Sequence, residues 1–333
     1  MTMFLNTRMR LEYLLRRPFS QNRLFRNIYH LALRLRILSP HKASSSDPLV
    51  VYRIDFAGIF YLQPVSRDCI LEVKKLPQTI VMDPGEYLFG GAFFNCCQPG
   101  LYRFSVPGII NQQAVVLDRS DPISSSLFLS LLSVRGNRDS GRSNSHLRRS
   151  ATERLISLTC GSNVKFVHQI MKHHGFNTRV VHSHSLQAPN SYNNGHTLLE
   201  VYESDADRFV VIDIDKKMYF SYQGEPLSLV ELCSIIKEQK EIALHKMCKL
   251  SAVDWCGFKE PFSGFDYGFI EQGFYFNDEN ILSCLSRICQ VPLILSEDEW
   301  WVCAWDDIDV QRLSEIDARW ILLSPTEFFR KFY

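Results

Sequence analysis

A cysteine stands where a predicted helix begins. The stretch SLTCGSNVKFVHQIMKHHGFN has apolar side chains at helical spacing from Val164 to Met171, and Gly175 follows where a helix would end. Thr159 is a suitable residue to cap the start of this helix, which places Cys160 in its first turn. The helix dipole and the free N–H groups there lower the pKa of a thiol. The sequence therefore indicates that Cys160 is a candidate nucleophile.

A base and a carboxylate follow on two predicted strands. His196 opens the strand HTLLEVYES, Asp213 closes the strand in FVVID, and DADR forms the turn between them. Because the two strands form an antiparallel hairpin, the start of one lies beside the end of the other. His196 can then act as a base on the thiol, and Asp213 can orient the imidazole. Asp215 points to the same predicted strand face as Asp213 and is an alternative carboxylate.

These motifs resemble the transglutaminase-like superfamily, a branch of the papain-like cysteine enzymes. CG opens a helix whose end, HHGFNTRVV, is similar to the family's G-x-x-x-R-V-V, and HTLLEVY is similar to its H-x-x-x-E-V. FVVID is similar to its W-x-x-x-D, with Phe209 at the aromatic position. The resemblance covers roughly residues 150–235. It implies that Cys160 is the nucleophile, His196 the general base and acid, and Asp213 the orienting group.

Two positions depart from the family pattern. Ile214 follows the first carboxylate where the family usually has proline, so Asp215 stays open as the orienting residue. Some members use an upstream Trp or Gln at the oxyanion hole, but all five tryptophans of this chain follow Cys160. Gln112 and Gln113 are candidates by residue type alone. The remaining oxyanion donor that the sequence offers is the backbone N–H of Cys160.

A metal interpretation of the histidines and paired cysteines is weaker than a structural one. His182 and His184 alternate on one strand face near His196, which is compatible with zinc, but no fourth ligand follows at a familiar spacing. We interpret them as solvent-facing side chains near a cleft. Cys96 and Cys97 have no histidines nearby and are interpreted as buried thiols. The sequence predicts neither a metal nor a cofactor.

Composition indicates an ordinary soluble protein. The chain has 333 residues, 46% of them hydrophobic and 22% charged, and a net charge of +1 that gives no general attraction to nucleic acid. No apolar run is long enough to span a bilayer, and no secretory signal is apparent. The ten cysteines form no CxxC pair and are scattered over the chain: Cys69, Cys96, Cys97, Cys160, Cys233, Cys248, Cys256, Cys284, Cys289 and Cys303. This predicts free thiols in a reducing, cytoplasmic compartment.

The pattern of periodicities predicts an α+β fold with antiparallel strands. Its segments are a basic amphipathic helical region at 1–45, a β-rich domain at 46–120, a mobile linker at 121–150, a transglutaminase-like core of helices on a sheet at 151–240, and an α+β extension at 241–333. Within the core, SATERLISL is predicted to form a helix ahead of Cys160. Four Gly-aromatic pairs at 255–276 are interpreted as loop packing rather than as an aromatic binding platform.

The amino-terminal segment is strongly basic. Up to residue 45 it carries nine basic residues and one acidic residue, a local charge of +8. An apolar stripe at helical spacing runs along it: Leu24, Ile28, Leu31, Leu35 and Leu38. The favoured interpretation is a helix packed on its own protein. The alternative is attachment to a membrane surface or to a partner protein.

Together these observations favour thiol-dependent chemistry. The predicted activity is acyl transfer, or hydrolysis of an amide or ester, through Cys160, His196, Asp213 and a thioester intermediate. The substrate would carry an amide or ester, for example on a protein or peptide. The alternative is a catalytically silent adaptor that keeps the fold and binds partners.

Overall fold

A computed structural model describes residues 50–62, 74–75, 79–89, 92–106, 110–186, 195–247 and 278–333. The basic segment at 1–45 and the Gly-aromatic stretch at 255–276 lie outside these ranges. The described part is mixed α+β with mainly antiparallel sheets, as the periodicities predict. Within it, no helix is long and apolar enough to cross a membrane.

The amino-terminal half is built from short strands. They are β1 Val50–Asp55, β2 Gly58–Leu62, β3 Lys74–Lys75, β4 Glu86–Phe89, β5 Ala92–Asn95, β6 Gly100–Val106 and β7 Ile110–Val116. One sheet has the order β2-β1-β6-β7, and a second has the order β3-β4-β5. Aromatic side chains dominate the core between them, including buried Tyr87, Phe94 and Phe104. Successive residues of β6 and β7 point to opposite faces, and both faces are buried: Tyr102 and Ala114 lie in this core, whereas Leu101 and Val115 lie in the core that contains the helix Cys160–His173.

The segment predicted as a linker contains regular structure. Its elements are α1 Pro122–Ser130, β8 Ser133–Arg135 and α2 Asn144–Ala151. The strand β9 Ile156–Leu158 follows the segment. Three of the four serines of α1 are buried, and their hydroxyls donate to nearby backbone carbonyls: Ser125 to Asp118, Ser126 to Ile123 and Ser130 to Leu127. These bonds satisfy the polar groups that made the segment resemble a loop.

The prediction of a helix over SATERLISL is wrong. α2 ends at Ala151, and β9 pairs with β8 in a parallel ladder. Ile156 and Leu158 alternate on the buried side of this short strand. Over such a short run, alternation and helical spacing are difficult to separate, so the tertiary contact with β8 decides the conformation.

One large sheet dominates the carboxyl-terminal half. After the helix α3 Cys160–His173, its elements are β10 Thr178–His184, β11 Gly195–Glu203, β12 Arg208–Asp213, β13 Met218–Tyr222, β14 Glu225–Pro226, α4 Leu229–Lys237, β15 Ala243–Lys246, α5 Asp278–Ile288, β16 Val291–Ser296, β17 Glu299–Cys303, α6 Asp307–Ile316, β18 Ile321–Leu323 and α7 Pro325–Phe332. The strand order is β14-β13-β12-β11-β10-β16-β17-β18, with β15 beside β13. All of these ladders are antiparallel except β17 with β18.

Helices cover both faces of this sheet. Leu199 and Val201 of β11 pack in one hydrophobic cluster with α3, whereas Leu198 packs with α4, α5 and α7 on the other face. Helix α6 packs on β16 and β17 through Leu313 and Leu293. Leu293 pairs with His182, and the residue before His182, Val181, faces α4. Because neighbouring residues of a strand point to opposite faces, Leu293 and the helix α6 that packs on it lie on the α3 face. The α3 face therefore carries α6 in addition to α1 and α3.

Candidate active site

Helix α3 presents Cys160 at its first position. Thr159 is the N-cap residue with extended backbone, although its side chain makes no capping bond. At the other end, Gly175 adopts φ +88°, and the Gly175 and Phe176 N–H groups donate to Lys172 and Met171. This is the Schellman pattern, which requires a left-handed residue and favours glycine. The carboxyl-terminal end of α3 therefore follows directly from the local sequence.

The thiol of Cys160 has an environment that favours the thiolate. Burial raises its pKa, but a hydrogen bond and the positive charge of His196 outweigh burial, and the backbone N–H of Thr197 donates to the sulfur as well. Nearby Asp215 opposes these effects. The net result is a Cys160 pKa below the usual thiol value. A thiolate, not a thiol, is the attacking species.

The other described cysteines with a shifted pKa behave in the opposite way. Burial raises the pKa of the thiols of Cys96, Cys289 and Cys303 to about 12. It also raises the pKa of Cys233 and Cys284. Among these thiols, Cys160 differs because a positively charged side chain, that of His196, also hydrogen-bonds its sulfur.

His196 links the thiol to a carboxylate. Its Nε2 lies 2.9 Å from Asp213 Oδ2, and its ring also hydrogen-bonds the Cys160 thiol. Because an imidazole has two nitrogens, Nδ1 is the atom left for the sulfur. Burial lowers the pKa of His196, but the Asp213 carboxylate and the hydrogen bonds raise it to about 9. The imidazolium and the thiolate therefore stabilise each other at neutral pH.

Asp213 is completely buried at the end of β12. Its Oδ1 accepts the backbone N–H of Lys216 at 3.0 Å, and its Oδ2 accepts the Lys216 ammonium at 2.7 Å in addition to His196. Burial alone would raise the pKa of this carboxyl, but the two cations hold it far below its ordinary range. Asp213 is thus a fixed anion at every ordinary pH.

The two candidate carboxylates have different partners. The chain leaves the strand after Asp213, so the expectation that Asp215 shares its strand face is wrong. Asp215 Oδ2 accepts from Arg135 Nη1 at 2.6 Å, on β8. Asp213 is the carboxylate that contacts His196, and Asp215 acts on the thiol only through its charge.

Lys216 is a part of the site that the sequence does not predict. Its side chain is 1% exposed, and its Nζ lies 3.2 Å from His196 Nε2 as well as 2.7 Å from Asp213. A lysine in the polar turn DIDKK resembles a solvated surface residue. No local signal distinguishes it, because its burial comes from the surrounding elements.

Among the contacts of the described residues, neither Gln112 nor Gln113, the candidates for an oxyanion donor, reaches the Cys160 thiol. Both amide hydrogens of Gln113 are used, because Nε2 donates to the carbonyls of Ala151 at 2.7 Å and Arg154 at 2.9 Å. Gln113 therefore anchors β7 to the segment after α2. Gln112 is half-buried on β7. The donors to the sulfur are the His196 ring and the backbone N–H of Thr197.

A cleft of about 370 Å³ adjoins this site on the α3 face. Its walls include six side chains from β10, β11, β16, β17 and the residues before β18: His182, His196, Thr197, Leu293, Trp300 and Trp320. His184, Gly195, Ser183 and Asp317 complete the lining. His182 and His184 are half-buried here rather than freely solvated. In the described ranges no group of three His, Cys, Asp or Glu residues could hold a metal ion.

No known family model matches this chain, and no curated protein and no solved structure matches it either. The resemblance to the transglutaminase-like superfamily therefore depends on the motifs of the chain itself.

Proposed function

We propose that this protein is a cysteine acyltransferase or hydrolase with a transglutaminase-like core, acting on an amide or ester. One observation carries the proposal: Cys160, at the start of α3, contacts buried His196, which contacts buried Asp213. The order of these residues along the chain is that of the family motif. A nucleophile, a base and an orienting anion in this chain of contacts is the arrangement that activates a thiol.

The reaction would proceed through a thioester. The Cys160 thiolate attacks the carbonyl carbon, and the carbonyl oxygen becomes an oxyanion near the start of α3, where free N–H groups favour negative charge. His196 Nδ1 gives its proton to the departing amine or alkoxide, and the bond from carbonyl carbon to leaving group breaks. Water or a second amine then attacks the thioester while His196 accepts its proton, and the bond from carbonyl carbon to sulfur breaks, which releases the product and restores the Cys160 thiolate. Asp213 keeps the imidazole oriented through both steps.

A reducing, cytoplasmic setting belongs to the same proposal. The described cysteines, Cys160 among them, are free thiols. A thiolate nucleophile works only while its sulfur is reduced.

The decisive experiment is selective labelling of the thiol. A thiol-directed probe should modify Cys160 faster than the other cysteines at pH values well below about 8.5, the ordinary free-thiol pKa. Cys160→Ala should abolish this fast labelling, and Cys97→Ala is the matched control because Cys97 is exposed, two residues after the end of β5. Mass spectrometry of an acyl adduct trapped on Cys160 would then identify the substrate class. Equal labelling of Cys160 and the other thiols would favour the silent-adaptor alternative.

A further inference from the structure

The cleft on the α3 face is continuous with the nucleophile. His196 and Thr197 line the cleft, and both also contact the Cys160 sulfur, His196 with its ring and Thr197 with its backbone N–H. The first turn of α3 lies against the same wall, since a Cβ added to Gly161 would lie 3.4 Å from Thr197 Oγ1. A group bound in the cleft therefore lies close to the attacking sulfur.

The charges around the cleft are either paired or exposed to solvent. His196 contacts Asp213, and Lys165, whose charge helps to lower the His182 pKa, is exposed on α3. Burial lowers the pKa of His182 to about 4, so this ring is neutral at pH 7, where its Nδ1 lies 3.2 Å from Thr197 Oγ1. Burial also lowers the pKa of His184, whose Nδ1 donates to the Ser185 carbonyl. The acidic lining residue, Asp317, accepts two hydrogen bonds from the Arg319 guanidinium, at 2.9 and 2.6 Å.

Aromatic rings supply most of the remaining walls. Trp300 packs edge-on against His182 with ring centroids 4.9 Å apart, and Trp320 packs in the same way against His184 at 5.3 Å. Leu293 adds an aliphatic surface. Since a cavity of about 150 Å³ holds a benzene ring, the cleft has room for a ring and its link to the carbonyl. Edge-to-face contact with indole favours a flat, apolar guest.

We propose that this cleft is the acyl pocket and that it selects an uncharged aryl-bearing acyl group. The inference rests on the proposed function, because it assumes that the Cys160 thiolate forms the thioester. A carboxylate or ammonium on the acyl chain would lose its hydration there, and the charged lining residues, His196 and Asp317, already have partners in Asp213 and Arg319.

Acylation of the full-length protein by p-nitrophenyl esters tests the pocket. The thiolate attacks the ester carbonyl, p-nitrophenolate leaves, and the acyl group appears on Cys160 by mass. We expect phenylacetyl transfer to exceed acetyl transfer by roughly tenfold or more, because the ring is buried in the product. The anionic hemisuccinyl ester should be slowest.

A Trp300→Ala variant should lose most of the phenylacetyl preference, and Trp300→Phe should restore part of it. Phe329→Ala is the control, since Phe329 is 47% exposed on α7. Two results would overturn the acyl-pocket proposal and leave the proposed function standing. The first is acylation of Cys160 without a preference for the aryl ester, and the second is a preference that Trp300→Ala leaves unchanged. No acylation of Cys160 by any ester overturns both.

A second, independent inference concerns Lys216. The Lys216 ammonium and the His196 Nε2–H converge on one oxygen, Asp213 Oδ2, at 2.7 and 2.9 Å. The two nitrogens are 3.2 Å apart, and both side chains are buried, so water does not screen one cation from the other. The backbone N–H of Lys216 fixes the second oxygen of Asp213. Lys216 thus holds the orienting carboxylate while repelling the imidazolium that Asp213 stabilises.

The geometry points to Lys216 as a positioning residue that limits how strongly Asp213 favours protonated His196. An imidazolium that is held less tightly gives its proton more readily to a leaving group. Other titratable groups face this cluster from the elements around it: Cys160 on α3, Arg135 on β8, His182 on β10, Asp215 and Lys217 in the β12–β13 turn, and Cys284 and Cys289 on and after α5. None of them contacts both Asp213 oxygens among the described hydrogen bonds.

Titration of the full-length protein separates positioning from a purely structural role. In Lys216→Met, the His196 pKa, followed by NMR of labelled imidazole, should rise by about one unit or more, since a neighbouring like charge is removed. The Cys160 thiolate, followed by alkylation rate against pH, should form at lower pH. Lys216→Arg should return both towards the parent values, and Lys172→Met, an exposed position on α3, should change neither.

Lys216→Gln is the second variant, because it removes the charge but keeps a hydrogen-bond donor for Asp213. If Lys216→Met does not fold, Lys216→Gln decides. If a folded variant without the Lys216 charge keeps the parent pKa values of both His196 and Cys160, the proposal is overturned, even if the melting temperature of the variant is lower.

Discussion

His196 and Asp213 are 17 residues apart in the chain, yet His196 Nε2 and Asp213 Oδ2 lie 2.9 Å from each other. The contact arises because β11 and β12 are antiparallel neighbours, with Leu199 opposite Ile212. His196 therefore lies diagonally across from Asp213, beyond the last paired residues of β12. Each prediction about the site depends on this register.

Replacing the two carboxylates separately should distinguish their roles. Asp213→Asn should reduce acyl transfer on the order of 10³-fold or more, because an amide no longer fixes the imidazole tautomer. Asp215→Asn should cost less than about tenfold, since Asp215 contacts Arg135 rather than His196. Turnover of a thioester-forming substrate by each variant is the measurement. A larger loss in Asp215→Asn would move the orienting role to that residue.

Removing the imidazole should weaken the thiolate. His196→Ala should raise the pKa of Cys160 by about one unit or more, because the hydrogen bond and positive charge that lower it are lost. Alkylation rate measured against pH reports this shift directly. His173→Ala is the control, since His173 is exposed near the opposite end of α3. An unchanged alkylation profile in His196→Ala would show that the two side chains do not interact in solution.

Acyl transfer should have a bell-shaped dependence on pH. The rate should rise as Cys160 loses its proton at a pKa below the ordinary thiol value, and fall as His196 loses its proton at about pH 9. Alkylation by iodoacetamide needs the thiolate but no general acid, so it should not fall above pH 9. Loss of acyl transfer and alkylation over the same alkaline range would contradict this assignment.

A stability prediction concerns the ion pair that precedes β9. Arg154 donates to both oxygens of Asp139, at 2.8 and 2.7 Å, and the Ser157 N–H donates at 2.9 Å. Asp139→Asn should lower the free energy of unfolding by about 1–3 kcal/mol at pH 7. The hydrogen bond to Arg154 lowers the Asp139 pKa, so this contribution is complete above the ordinary value of 3.8 and is lost as pH falls through the lower folded pKa.

Denaturant unfolding at pH 7 and near pH 3 would measure that contribution. The difference in the free energy of unfolding between the parent and Asp139→Asn should be smaller at the lower pH. Asp205→Asn, in an exposed turn, should match the parent at both values. A difference that grows on acidification would mean that the carboxylate does not carry the effect.

The basic amino-terminal segment can be tested with the whole chain. Packing on its own protein predicts that the chain stays in the supernatant with anionic vesicles, even at low salt. The membrane alternative predicts co-sedimentation at low salt and release at high salt, because each basic residue near an anionic surface contributes about 1 kcal/mol that salt screens. Arg34→Glu combined with Arg36→Glu should abolish any such sedimentation.

Local patterns predict α3 and the strands after it, because apolar spacing and the terminal Gly175 specify them within a few residues. The pairing of β11 and β12 is also predictable, since DADR joins two strands directly. Lys216 and the cleft are not predictable in this way. Trp300 and Trp320 reach the cleft from the far edge of the sheet, more than 100 residues after His196, and only the assembled strand order brings them there.

The Asp213–Lys216 pair spans three residues and lies within one turn. Its contacts can form as soon as β12 and β13 meet, because closing so short a loop costs little entropy. Cys160 reaches His196 only when α3 has docked on β11. Until then its sulfur is an ordinary thiol, mostly protonated and slow to react. A nascent chain would therefore acquire its reactive sulfur only after β11 has been made and α3 has docked on it, which limits earlier oxidation and cross-linking.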